Sequence, residues 1–136
     1  MRYLLCAAIL LLANVAAAAE FKVADIVGNW TGKAQDGTEV KYEFRKDGSI
    51  VWWVEEPNFK QAFPNGLVGK YSLVEKKPLW EVDFTDFENE KLKAMKLLAI
   101  LEPVSSEEFK MDAKPGQRPK TFSNETVVFK KAKATN

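Results

Sequence analysis

Residues 39–55 read EVKYEFRKDGSIVWWVE. Val40, Tyr42 and Phe44 alternate with Glu39, Lys41, Glu43 and Arg45. Side chains of a strand point to opposite faces with a period of two, so this segment has one dry face and one wet face. Lys46-Asp47-Gly48 interrupts the alternation, and a second apolar run follows from Ser49 to Glu55. Two such runs so joined predict a three-residue hairpin, a type I turn whose glycine takes the left-handed conformation. That turn sets Arg45 opposite Ser49 and Phe44 opposite Ile50. Ile50, Trp52 and Val54 then join Phe44 on the dry face, with Val51 and Trp53 outside. A two-residue turn at Asp47-Gly48 would shift the pairing by one and reverse the faces. The three-residue turn is preferred because it keeps Glu55 with the wet set and Ser49 out of the core.

The same rhythm extends in both directions. Upstream, residues 29–34 read as a strand followed by a hairpin signal at Asp36-Gly37. Downstream, EPNFKQAFPNG (56–66) breaks the pattern and marks a long loop. Strands are expected at 67–74 and 80–85, with Lys76-Lys77-Pro78 turning the chain between them. Residues 87–102 have a helix-favouring composition inside a strand-favouring context. They are read as a loop or helical turn over 87–93 and a strand over 95–102. Ser105-Ser106 turns the chain into a strand at 108–112; a loop follows from residue 113, then a strand at 125–131 and a frayed lysine-rich tail. Eight short strands joined mainly by hairpin-like turns predict an all-β, antiparallel up-and-down meander, closing into a barrel or a tightly curled sandwich. Closure also removes the exposed edges that invite aggregation.

The N-terminus reads differently. Arg2, the apolar run Leu4–Leu12 and the small residues Ala16–Ala19 form the pattern of an export signal. The run is too short for a membrane-spanning helix. Residues 1–19 are therefore expected to be a signal peptide and residues 20–136 a single β-domain, periplasmic or secreted. Removal of 1–19 takes away Arg2 and the one cysteine, Cys6. It leaves 19 basic against 19 acidic residues, from the 20 and 19 of the whole chain. Zero balance argues against nucleic acid as a partner. The chain has no histidine. Histidine-dependent nucleophilic catalysis, histidine metal sites and histidine-ligated haem are excluded. No metal or cofactor is expected.

Gly28-x-Trp30, on the first strand, resembles the G-x-W signature of lipocalin-like barrels. YEFRKDGSI (42–50), GKYSLVEKKPLWEVDF (69–84) and GQRPKTF (116–122) are similar to a small bacterial lipocalin-like domain of planctomycete type, a calycin-like β-barrel of unknown function. The resemblance spans nearly all of residues 26–131. It implies that Trp30 plugs one end of the barrel and that Gly28 lets the chain bend past it. It also implies an arginine arriving from late in the chain to cover the indole. Arg118 is the candidate, since Arg45 lies on a wet face. The chain is shorter than many animal lipocalins and lacks their cysteines, which counts against a roomy cavity. The resemblance implies a fold and no activity.

Tyr42, Phe44, Trp52, Tyr71, Trp80 and Phe84 are the candidate interior rings. They either line a cavity for a small apolar ligand or fill the barrel outright. Phe59 and Phe63, four residues apart in the long loop, share a side if the loop makes a helical turn. They are candidates for a lid at the barrel mouth, or for plain anchors of the loop. Trp53 is the candidate surface contact for a protein partner, unless the 57–66 loop or a terminus covers it. Carboxylates are the only plausible catalytic groups, at Glu55-Glu56 and at Asp83, Asp86 and Glu88. Neighbours on a strand face apart, and no residue marks a dry, raised-pKa site. The expectation is a binding protein and not an enzyme.

Overall fold

The structure, a computed structural model, describes residues 20–133. The expected signal segment lies outside the described residues. The elements in order are a 3₁₀ turn (Val23–Ile26), β1 (Gly28–Lys33), β2 (Glu39–Phe44), β3 (Ser49–Val54), α1 (Pro57–Ala62), β4 (Leu67–Val74), β5 (Trp80–Thr85), β6 (Leu97–Ser105), β7 (Glu108–Pro115) and β8 (Val127–Lys131). Each strand pairs with the next, and β8 returns to β1, giving a closed antiparallel barrel in meander order. Of the two architectures open to a meander of this kind, the barrel is the one formed.

Turn chemistry sets the register. The Arg45 amide donates to the Ser49 carbonyl at 2.9 Å, and the Gly48 amide donates to the Arg45 carbonyl at 3.1 Å. Gly48 has φ of 89°, in the left-handed region. This is the three-residue hairpin, and it pairs Phe44 with Ile50 and Tyr42 with Trp52. Ala34 to Thr38 repeats the device: Gly37 also has φ of 89°, and the Ala34 amide donates to the Thr38 carbonyl at 2.8 Å. In both turns the aspartate before the glycine accepts from the amide two residues on.

Two regions depart from expectation. β6 and β7 make a longer hairpin than the local pattern suggests, running to Ser105 and Pro115. Pro103 is tolerated because the register shifts between Pro103 and Ser105, and Pro115 closes its strand. The last strand starts at Val127, two residues later than expected, because the Thr126 amide turns back to the Ser123 carbonyl. Residues 86–96 form turns around Asn89, whose carbonyl accepts from the amides of Leu92 and Lys93. Leu92 and Met95 from this segment pack against the core.

The interior is mostly aromatic. Trp30, Phe44, Phe84, Phe109 and Phe129 are fully buried. Each such ring stabilises the fold by about 1.5–3 kcal/mol. The barrel's two ends are covered by different segments. Phe21 and the 3₁₀ turn cap one; α1 and the 86–96 segment lie at the other.

Candidate functional site

The capped end is built around Trp30. Its indole N–H donates to the Ile26 carbonyl at 2.7 Å, fixing the 3₁₀ turn beneath it. Phe109 packs on the indole with ring centroids 4.5 Å apart, and Phe21 bridges Trp30 to Trp80. The cation on Trp30 is Lys131, whose Nζ lies 5.4 Å from the ring centroid and donates to the Asp25 carbonyl at 2.9 Å. β8 pairs Lys131 directly with Trp30, so the two share the inner face. The end of β8 is held on both sides: the Lys131 amide donates to the Glu107 carbonyl and the Ala132 amide to the Asn29 carbonyl. Gly28 has φ of 137°, and a Cβ there would stand 2.9 Å from Lys131 Cε. The glycine before the tryptophan makes room for the lysine stem.

Arg118 is elsewhere, which corrects the expected Arg118–Trp30 contact. It lies on the outer wall, donating to the carbonyls of Val82 and Ala99 and pairing with Asp83 and Glu81. The loop expected to bring it to the plug instead folds back over β6 and β5. The signal for Lys131 was parity: it stands two residues from the inward-facing Phe129. The implied preference for arginine obscured it.

The opposite end is not filled. A cavity of about 170 Å³ lies there, lined by Val40, Tyr42, Trp52, Leu97, Met111, Ala113, Val127 and Phe129, with Glu125 at its exposed edge. Of the candidate ring set, only Tyr42 and Trp52 line it. Phe44 and Phe84 fill the middle of the barrel, where Phe84 stacks on Tyr42 at 5.4 Å; Tyr71 is half-buried, edge-on to Phe44 at 5.0 Å, and its hydroxyl donates to the Arg45 carbonyl of the β2–β3 turn at 2.9 Å. Trp80 belongs to the capped end. Phe59 and Phe63 come from α1 and its end, and Phe59 lies edge-on to Trp52 at 5.5 Å. The two phenylalanines touch each other at 5.0 Å. On the β7 side of the wall, Ala113 lies where a loop is expected, beyond the expected strand at 108–112. The alternation Phe109, Met111, Ala113 carried that information.

One buried polar group of this wall lacks a partner. The Trp52 Nε1 is buried and makes no hydrogen bond among the described residues. Burial raises the Tyr42 hydroxyl above its ordinary pKa. The Tyr42 and Trp52 rings are parallel, 3° apart in orientation, with centroids separated by 6.1 Å.

On the outer wall, Val51 and Trp53 project away from the barrel, and the segment ending at Gly66 covers them. Val51 is fully buried, and Trp53 is half-buried. A Cβ on Gly66 would come within 2.7 Å of Trp53 Nε1 and 2.6 Å of Val51 Cγ1. The uncovered side of Trp53 borders a groove of about 420 Å³ with Asn29, Thr31, Lys41 and Glu55. Among the carboxylates, Asp83 is paired with Arg118 and Glu55 with Lys60 at 2.6 Å. The Lys60 hydrogen bond lowers the Glu55 pKa, the opposite of what a general acid needs. No group of metal-ligating residues and no helix long and apolar enough to cross a membrane occurs among the described residues.

The closed eight-stranded meander is consistent with a calycin-like fold. No protein-family model, curated protein or solved structure matches the chain.

Proposed function

We propose that this is an exported, lipocalin-like barrel, periplasmic or secreted, that holds a small apolar molecule noncovalently at its open end. The cavity between Tyr42, Trp52, Met111 and Phe129 carries the reading. Its wall is apolar and aromatic, as ligand sites are, but it is smaller than the roughly 300–1,000 Å³ of drug-sized pockets. It matches cavities of about 150 Å³ that admit benzene. The occupant is therefore a single ring or a short branched chain, and a long fatty acid is too large. The export pattern of residues 1–19 supports the location. Titration of delipidated protein with benzene and toluene, followed by NMR at Met111 and Trp52, tests the reading. Saturable shifts confined to the cavity wall support it; no shift at millimolar ligand refutes it.

A second reading rests on the outer wall. The half-covered Trp53 beside Lys41 and Glu55 offers an aromatic contact with polar surroundings, the composition of a small protein–protein hot spot. Trp53→Ser would then weaken association with a partner while leaving ring binding at the open end unchanged.

A further inference from the structure

The chemistry of the cavity wall narrows the ligand class. We infer that the occupant is a neutral, single-ring molecule bearing one hydrogen-bond acceptor, an aromatic ketone in type, received by the Tyr42 hydroxyl or the Trp52 indole N–H. This rests on the apolar-cavity reading and adds to it.

Buried polar groups are nearly always hydrogen-bonded. The Trp52 Nε1 is buried without a partner among the described residues, and the parallel Tyr42 ring carries a second donor on the same wall. Among the described residues the wall is otherwise without polar side chains except at the edge, where Glu125 stands. A carboxylate there disfavours an anionic ligand, and among the described residues no lysine or arginine lines the cavity to receive one. The aromatic faces of Tyr42, Trp52 and Phe129 and the Met111 thioether suit a ring. The volume of about 170 Å³ leaves space for one ring and a short substituent.

Acetophenone and α-methylstyrene share a shape and differ in C=O against C=CH₂, so together they isolate the acceptor. Each is titrated into the protein, with binding followed by NMR at the Trp52 indole N–H and the cavity-wall methyl groups. Acetophenone is expected to bind about tenfold more tightly, the value of one net hydrogen bond. Benzoate is expected to bind far more weakly than acetophenone. Trp52→Phe and Tyr42→Phe keep the aromatic wall and remove one donor each; the preference should vanish in at least one of them. Equal affinity for the two isosteres, or a preference that survives in both variants, overturns the acceptor and leaves the apolar cavity standing. Benzoate binding as tightly as acetophenone overturns the neutral-ligand part. Failure of both isosteres to bind at millimolar concentration overturns the cavity with it.

Discussion

Trp30, Lys131 and Gly28 act as one unit. The indole is held by its own hydrogen bond to Ile26, and the Lys131 ammonium sits on its face. Trp30→Ala should cost about 3–5 kcal/mol, the usual range for emptying a buried aromatic site. Lys131→Met keeps the stem and removes the charge; it should cost about 1–3 kcal/mol for the cation–π contact and the bond to Asp25 together. Urea denaturation of the double mutant should show the two losses to be non-additive. Trp30→Ala with Arg118→Ala should instead add to within about 0.5 kcal/mol, since the two sites share no partner. That the plug exists was legible from Gly28-x-Trp30. Which cation covers it was not, because the answer depends on where β8 ends and which face Lys131 takes. Tyr42 gives a second residue-scale test. Burial raises its pKa, so the folded state keeps a proton that the unfolded chain releases. The stability Tyr42 contributes is complete below about pH 10 and declines above it by up to roughly 1.4 kcal/mol per pH unit. The stability difference between wild type and Tyr42→Phe should therefore shift against wild type from about pH 9 to about pH 11. A difference constant with pH would contradict the buried hydroxyl.

The hairpins and the β7–β8 loop show how elements are fixed. The β2–β3 register, and with it the inside position of Trp52, was readable because Asp47-Gly48 permits only a few turn geometries and one of them agrees with the polarity on both strands. The β6–β7 hairpin was harder to read. Pro103 and Pro115 look like strand breakers in isolation, yet cross-strand pairing and a local register shift accommodate both. The β7–β8 loop is pinned at two points on the outer wall. Arg118 ties its start to β5 and β6. Its end is tied by Asp112, which is buried and accepts from the Ser123 amide at 3.1 Å, the Ser123 hydroxyl at 2.7 Å and the Thr126 hydroxyl at 3.3 Å. These contacts join residues far apart in sequence, and no local pattern announces them. Asp112→Ala should destabilise the fold by about 1–3 kcal/mol. Amide exchange should accelerate in 116–126 well before the barrel strands. Uniform acceleration across all strands would show that Asp112 is not a local pin.

At the scale of the whole barrel, the two ends are unequal. Aromatic rings fill the capped end and the middle, while the open end keeps a space between β2, β3, β6, β7 and β8. The overall pattern of eight strands could be read from alternation and turns. The balance between a hollow and a filled interior could not, since it turns on small residues such as Ala113 opposite Ala99, whose effect depends on their neighbours across the barrel. Ala113→Leu would project its added methylenes into the cavity. Thermal stability should stay close to wild type or rise, as for other cavity-filling changes, and ring binding should be abolished. The most direct measurement is diffraction from crystals pressurised with xenon, a gas that enters dry apolar cavities of this size. One ordered xenon should appear between Trp52, Met111 and Phe129, with none around Trp30 and Lys131. Density free of xenon at the open end, with Trp52 or Phe59 turned in to fill the space, would contradict the hollow barrel.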